Sequence, residues 1–240
     1  MKLFVTDYDD TLYTNDISIK ENIKKINELR ENDFIMMIAT GRSLPSIKNE
    51  VKEKNIPYDY LSCADGSIIY DKEDNIVYAS YLDREIIKTF EDFYKDLNYE
   101  EIQFSYVTGY SNILKDDKLL GINVCLSTKL YNKEIEKKFF KLKETYPNYN
   151  YLAYTHPNYS YLCIKPKGIS KAYSINVIKN KLNIKKKDIY VIGDSSNDIE
   201  MINEFNGVSM TNSSLEVLKI VKKTYSEVSD YINEILKPNL

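Results

Sequence analysis

Apolar positions along this chain fall into two textures. Continuous runs at residues 3–5, Phe34–Ala39, Tyr60–Cys63 and 189–192 have the pattern of strands buried on both faces. After the first run, Ile19, Ile23, Ile26 and Leu29 recur at helical spacing. This predicts a helix capped by Ser18 and running to about Arg30. The next helix is expected to open with Ser43 and Pro45. Residues 67–70 and 76–80 flank the polar stretch 71–75 and predict a β-hairpin. The order β, α, β, α, β predicts a parallel sheet covered by helices, in which ligands sit beyond the carboxyl ends of the strands.

From about residue 82 the pattern changes. Asp83 is placed to cap a helix to about Leu97. Tyrosine-rich strands are expected over 102–107 and 121–127, then a helix over Lys133–Thr145 and paired strands over Tyr149–Thr155 and 159–164. Helices and paired strands in this order predict an α+β module with an antiparallel sheet. After Pro166 the α/β texture returns. A helix is expected over 169–182 and a strand over 189–192. Apolar stretches at 207–210 and 220–225 follow, with helices near Ser214 and over 228–236. The division is therefore an α/β layer from 1–81 and 166–240, interrupted by an α+β module over 82–165.

Composition narrows what such a chain does. With 43% hydrophobic and 29% charged residues among 240, it has the balance of a folded soluble protein. A net charge of −3 gives no electrostatic footprint for nucleic acid. The N-terminus lacks a signal-peptide pattern and no apolar run is long enough to span a membrane, so a cytoplasmic protein is expected. Cys63, Cys125 and Cys163 are an odd number at wide spacing among apolar neighbours, which predicts buried reduced thiols. The single histidine, His156, precedes a proline in an expected turn. Catalysis by a Ser-His-Asp or Cys-His set is thus disfavoured, leaving carboxylates, lysine, arginine or metal.

Chemistry-bearing residues gather where apolar strands end. Residues 3–5 lead into Asp7, Asp9 and Asp10. If the backbone stays extended, Asp7 and Asp9 point to one side and need a cation or a shared proton between them. Hard oxygen ligands of this kind suit Mg2+, while an ordinary solvated turn accounts for the same residues. Thr40-Gly41-Arg42 ends the second strand with a hydroxyl, a flexible glycine and a guanidinium, suited to an oxyanion or to a capped turn. Lys171 falls in the first turn of a helix, where a cation opposes the dipole unless it answers an anion. Asp194 and Asp198 stand four apart at a strand-to-helix junction, where they can face one region or serve as caps.

Together these sites supply a nucleophile, an acid or base, an oxyanion ligand, a cation and metal carboxylates, the set needed for phosphoryl transfer through an aspartate. At that level the chain resembles the haloacid dehalogenase-like phosphohydrolases of the Cof type, over nearly all its length. Asp7-Tyr8-Asp9-Asp10-Thr11 matches the family's nucleophile motif and Thr40-Gly41-Arg42 its second motif. Lys167-Gly168-Ile169-Ser170-Lys171 matches the lysine motif, and Gly193-Asp194-Ser195-Ser196-Asn197-Asp198 the metal motif.

The resemblance implies a Rossmann-like parallel core carrying an inserted α+β cap domain. It implies Asp7 as nucleophile and Asp9 as general acid and base, with Thr40, Gly41, Lys171 and Asn197 around the phosphate. It also implies Mg2+ held by Asp7, Asp194 and Asp198 together with Asp9, the last through its backbone carbonyl. Asp10 departs from the family's usual glycine, Asp65 from its usual asparagine in Ala64-Asp65-Gly66, and Ala172 from a common glycine after the lysine. The expected function is a magnesium-dependent phosphatase acting on a small phosphomonoester such as a sugar phosphate, pyridoxal phosphate, flavin mononucleotide or a nucleotide. The inserted module would be a lid that selects substrate. Alternatives are a sugar phosphomutase and a non-catalytic phosphometabolite-binding protein.

Overall fold

The computed structural model describes all residues except 96, 98, 116–117, 128, 156–158 and 238–240. The expected turn at His156 lies outside the described residues. The chain divides into two compact units, one from 1–42, 47–78 and 170–240, the other from 43–46 and 79–169.

The first unit is built on an eight-stranded sheet. Its first strands and helices are β1 (Lys2–Thr6), α1 (Ser18–Glu31), β2 (Phe34–Ala39), α2 (Leu44–Glu53), β3 (Tyr60–Cys63), β4 (Ile68–Asp71) and β5 (Ile76–Ala79). From the C-terminal part of the chain come α5 (Lys171–Lys181), β11 (Ile189–Gly193), α6 (Ile199–Phe205), β12 (Val208–Met210), α7 (Leu215–Leu218), β13 (Thr224–Tyr225) and α8 (Val228–Ile235). The strand order is β13-β12-β11-β1-β2-β3-β4-β5. Pairing is parallel from β13 through β3, and β4 runs antiparallel to β3. Side-chain alternation along β1 sorts the core. Leu3 and Val5 join Ile175 and Ile178 of α5 and Met201 and Phe205 of α6, whereas Phe4 packs its ring against Tyr231 of α8. With helices on both faces the central strands lose their polar positions, which is why they are continuous apolar runs.

The second unit contains α3 (Arg84–Tyr94), β6 (Glu101–Tyr106), β7 (Gly109–Ser111), β8 (Leu119–Ser127), α4 (Lys133–Thr145), β9 (Tyr149–Thr155) and β10 (Tyr159–Pro166). Its five-stranded sheet has the order β7-β6-β8-β10-β9 and pairs antiparallel where the register is described. Phe90 of α3 and Phe139 of α4 pack on Ile102, Phe104, Ile122, Val124, Leu162 and Ile164. The architecture is α/β, as expected.

Local chemistry differs from expectation at several points. Ser18 is the first residue of α1 and not its cap. The side-chain oxygen of Asn15 accepts from the backbone N–H groups of Ile17 and Ser18 at 2.9 and 3.0 Å, because an Asx turn before the helix reaches those orphan donors first. Asp83 precedes α3 in extended conformation without a side-chain capping bond, and α3 stops at Tyr94. Only Thr224 and Tyr225 of the stretch 220–225 form strand, and β7 is an unpredicted three-residue edge strand. The three cysteines are buried. No helix among the described residues is long and apolar enough to cross a membrane.

Candidate active site

The site lies where the central strands of the first unit end. β1 stops at Thr6, so the chain has left the extended conformation before Asp9. The extended backbone on which Asp7 and Asp9 would point to one side is therefore not found, and a turn takes its place. Leu12 N–H donates to the Asp7 carbonyl at 3.3 Å and Tyr13 N–H to the Tyr8 carbonyl at 2.9 Å, closing a loop that sends the two carboxylates to different partners. Asp10, in this loop, has φ of 56°, a left-handed conformation that favours glycine and that aspartate tolerates better than most residues. The family's usual glycine there thus has a backbone reason.

Asp7 is buried, and Lys171 Nζ donates to its Oδ1 at 2.7 Å. The same ammonium donates to Asp198 Oδ1 at 2.7 Å, with Lys171 and Asp198 both buried. The lysine opposing the α5 dipole answers two carboxylates, as its position required. Asp198 is tied down further, its Oδ2 accepting from the backbone N–H groups of Asp194 and Ser195 at 3.0 and 3.1 Å. It forms a capping box with Ser195 around the 3₁₀ turn Ser196–Asp198 ahead of α6. Gly193 permits this close approach, since a Cβ there would stand 2.4 Å from Asp198 Cγ. Asp194 accepts a hydrogen bond from Thr11 Oγ1 at 2.7 Å.

Carboxylate oxygens of Asp7, Asp194 and Asp198 all lie within 4.8 Å of one another. Three acids facing one lysine leave an excess of negative charge. Burial pushes the Asp7 carboxyl well above its ordinary range, and Asp198 and Asp194 add to this against Lys171. Burial likewise raises Asp194 to about 6, opposed by the Thr11 bond and reinforced by Asp198. For Lys171, burial alone would favour the neutral amine, but Asp198 and Asp7 outweigh it and hold the ammonium protonated. An all-oxygen cluster with uncompensated charge suits a hard divalent cation.

Around this cluster the strand ends of β2 and β3 form a second wall. Thr40 is buried at the end of β2, and its Oγ1 accepts from the backbone N–H of Arg42 at 3.1 Å. The backbone N–H of Asp65 donates to the Thr40 carbonyl at 3.1 Å, joining the two loops. Ala64, Asp65 and Gly66 are consecutively left-handed, with φ of 49°, 53° and 97°. This turn sets Asp65 against Gly41, where a Cβ would stand 3.0 Å from Asp65 Oδ1. Asn197 Nδ2 donates to Asp65 Oδ1 at 3.0 Å, so the carboxylate that replaces the family's amide has an amide partner of its own. Asn197, expected beside phosphate, thus has its amide engaged with Asp65, while its Oδ1 accepts from Ser195 Oγ.

Asp9 is separate from the acidic cluster. Arg42 grips its carboxylate with two bonds, Nε to Oδ2 at 2.9 Å and Nη2 to Oδ1 at 2.6 Å. The guanidinium expected to meet an oxyanion is therefore engaged by this chain's own acids, since Nη1 reaches Glu50 Oε1 at 3.2 Å. The sequence points neither to Arg42 in this role nor to Glu50, and it names Thr11 in the nucleophile motif without its bond to Asp194. Glu50 lies eight residues beyond Arg42 on α2, and the only signal for it is the Glu50/Lys54 pair at i,i+4.

Known proteins resemble this chain over most of its length. The haloacid dehalogenase-like hydrolase family matches residues 4–118 and 105–232. The 5-amino-6-(5-phospho-D-ribitylamino)uracil phosphatase YcsE of Bacillus subtilis is 27% identical over 236 residues, covering 96% of this chain and 90% of that protein. Among solved structures, a haloacid dehalogenase-like hydrolase from B. subtilis has a TM-score of 0.82 at 17% identity, covering 98% of this chain and 100% of that chain. A sucrose-phosphatase from Synechocystis has a TM-score of 0.75 at 20% identity, covering 98% and 96%. With its motifs brought together at the ends of β1, β2 and β11, the chain belongs to the haloacid dehalogenase-like hydrolases of the Cof type.

Proposed function

We propose that this protein is a magnesium-dependent phosphatase that hydrolyses small phosphomonoesters through an aspartyl-phosphate on Asp7. The observation that carries this reading is the buried contact of Lys171 with both Asp7 and Asp198, with Asp194 alongside. Asp7 is assigned as nucleophile. One of its carboxylate oxygens forms a bond to phosphorus as the ester P–O bond breaks, and Asp9 gives a proton to the departing oxygen. Water then attacks the phosphoaspartate and gives its proton to Asp9. The bond from Asp7 to phosphorus breaks, and inorganic phosphate leaves.

Lys171 keeps a positive charge beside the reacting oxygens, and the Thr40 hydroxyl and Gly41 are assigned to the phosphate. Mg2+ would be held by Asp7 and Asp194, with Asp198 beside them and the Asp9 carbonyl as a further ligand. When bound it offsets the charge of these acids and of the phosphate. None of the groups given a role lies in residues 79–169.

Family and curated relatives support a phosphatase, and YcsE suggests a phosphorylated sugar alcohol or sugar as the first substrates to try. The test is a screen of phosphorylated metabolites, including 5-amino-6-(5-phospho-D-ribitylamino)uracil, scored by phosphate release. Release is expected with Mg2+ and not in EDTA. Asp7→Asn should lower turnover by about 10⁴-fold or more, because an amide of equal size cannot attack phosphorus. Near wild-type turnover by Asp7→Asn, or full activity after exhaustive chelation, would remove this mechanism.

A further inference from the structure

Arg42 is engaged at all three of its guanidinium nitrogens. Two of its nitrogens hold Asp9, and the third donates to Glu50 Oε1 at 3.2 Å. The face of the guanidinium lies 5.0 Å from the centre of the Tyr8 ring. Glu50 is itself held, its Oε2 accepting from Tyr8 Oη at 2.9 Å and from Lys54 Nζ. Lys54 in turn lies over the ring of Tyr13, 4.7 Å from its centre, and that ring stacks on Tyr8 at 5.9 Å. Tyr8 and Tyr13 belong to the loop that carries Asp9, so α2 and this loop are joined through one set of side chains.

These bonds make little sense as a surface ion pair alone. The Asp9 side chain is half exposed, and a pair there adds at most modest stability. A carboxylate that must meet a departing oxygen needs a defined direction, and a planar two-point grip supplies one only if the guanidinium cannot turn. Burial, and then the Glu50 bond, keep the Tyr8 hydroxyl protonated as a donor.

We propose that Glu50 is a positioning residue which, held by Tyr8 and Lys54, acts through Arg42 to aim the Asp9 carboxyl at the leaving-group oxygen. This rests on the phosphatase reading above. Glu50 touches neither substrate nor reacting atoms. Its effect is confined to the step in which Asp9 moves a proton, and that step matters most when the leaving oxygen is a poor leaving group.

The experiment compares wild type with Glu50→Gln, Tyr8→Phe and Asp9→Asn on a series from p-nitrophenyl phosphate to alkyl phosphates, with thermal melting of each variant as a check on folding. For Glu50→Gln, kcat on alkyl phosphates should fall about tenfold while p-nitrophenyl phosphate is affected much less, since an activated phenol leaves without a proton. Tyr8→Phe keeps the ring under Arg42 and should show the same trend more weakly. In an Asp9→Asn background, Glu50→Gln should add no further loss, because its effect runs through Asp9. An equal loss on all esters, losses that add to those of Asp9→Asn, or no loss in a folded Glu50→Gln protein would each overturn the proposal while leaving the phosphatase assignment standing. Failure of the wild type to release phosphate from any ester would instead remove that assignment, and this proposal with it.

Discussion

Lys171 is the residue on which the buried charge of the site turns. Its ammonium sits 2.7 Å from oxygens of both Asp7 and Asp198, and all three side chains are buried. Removing one member of a buried ionic set leaves the others uncompensated, at a cost of about 3–5 kcal/mol. Lys171→Met is therefore expected to lower the melting temperature of the metal-free protein by about 6–20 °C, on the usual scaling for a chain of this size. Part of that loss should be recovered at acid pH, where Asp7, whose carboxyl is raised above its ordinary range by burial, holds its proton. Thermal scans across pH measure both. A variant that melts like wild type at neutral pH would mean that the acids relax away from one another once the lysine is gone. Thr11 acts at the same scale, its hydroxyl holding Asp194 by a single bond at 2.7 Å.

At the scale of elements, the site depends on loops that let strand ends approach helix starts. Gly66 shows the constraint most directly. It has φ of 97°, and a Cβ built on it would stand 2.2 Å from the carbonyl oxygen of Ser170, the residue that caps α5. Backbone cannot yield as a flexible side chain does, so Gly66→Ala combines a disfavoured conformation with overpacking. The expected cost is about 2 kcal/mol or more, read as a lower denaturation midpoint. Because α5 begins with Lys171, any displacement of Ser170 moves the ammonium too, so activity should fall further than stability alone explains. A Gly66→Ala protein with wild-type midpoint and turnover would show that the turn and α5 are not tightly coupled.

For the whole molecule, the excess acid in the site predicts how stability follows pH. Asp194 is raised from its ordinary 3.8 to about 6, and Asp7 is raised as well. A carboxyl that holds its proton more tightly when folded penalises folding as pH rises, here between about 4 and 6. Glu50 has the opposite sign. Hydrogen bonds, from Lys54 first and then Tyr8 and Arg42, outweigh burial and hold it at about 2. Its contribution is present above its ordinary 4.5 and is lost as pH falls toward 2. Melting in EDTA should therefore peak at mildly acidic pH and decline toward neutrality. Mg2+ should raise the melting temperature most at neutral pH, where Asp194 has lost its proton and a ligand that binds only the folded state adds stability. No change on adding Mg2+ at pH 7 would count against a cation site at Asp7, Asp194 and Asp198.

Local pattern alone determined most elements of this protein. Phe34–Ala39, Tyr60–Cys63 and Lys133–Thr145 follow from apolar runs or helical spacing, because burial on two faces or one stripe leaves a direct mark on residue order. The candidate site residues were legible for a related reason, since each stands just beyond an apolar strand or at a helix start. Tertiary structure alone decided which of them meet. Asp7 and Asp9 are two residues apart, yet one faces Lys171 and the other Arg42, because β1 ends at Thr6 and the loop turns between them. Asp65 and Asn197 meet across 132 positions of sequence, and Glu50 reaches the site through the Arg42 guanidinium and the Tyr8 hydroxyl. Contacts of that kind depend on where backbones and side chains converge in space, and no periodicity in the chain records it.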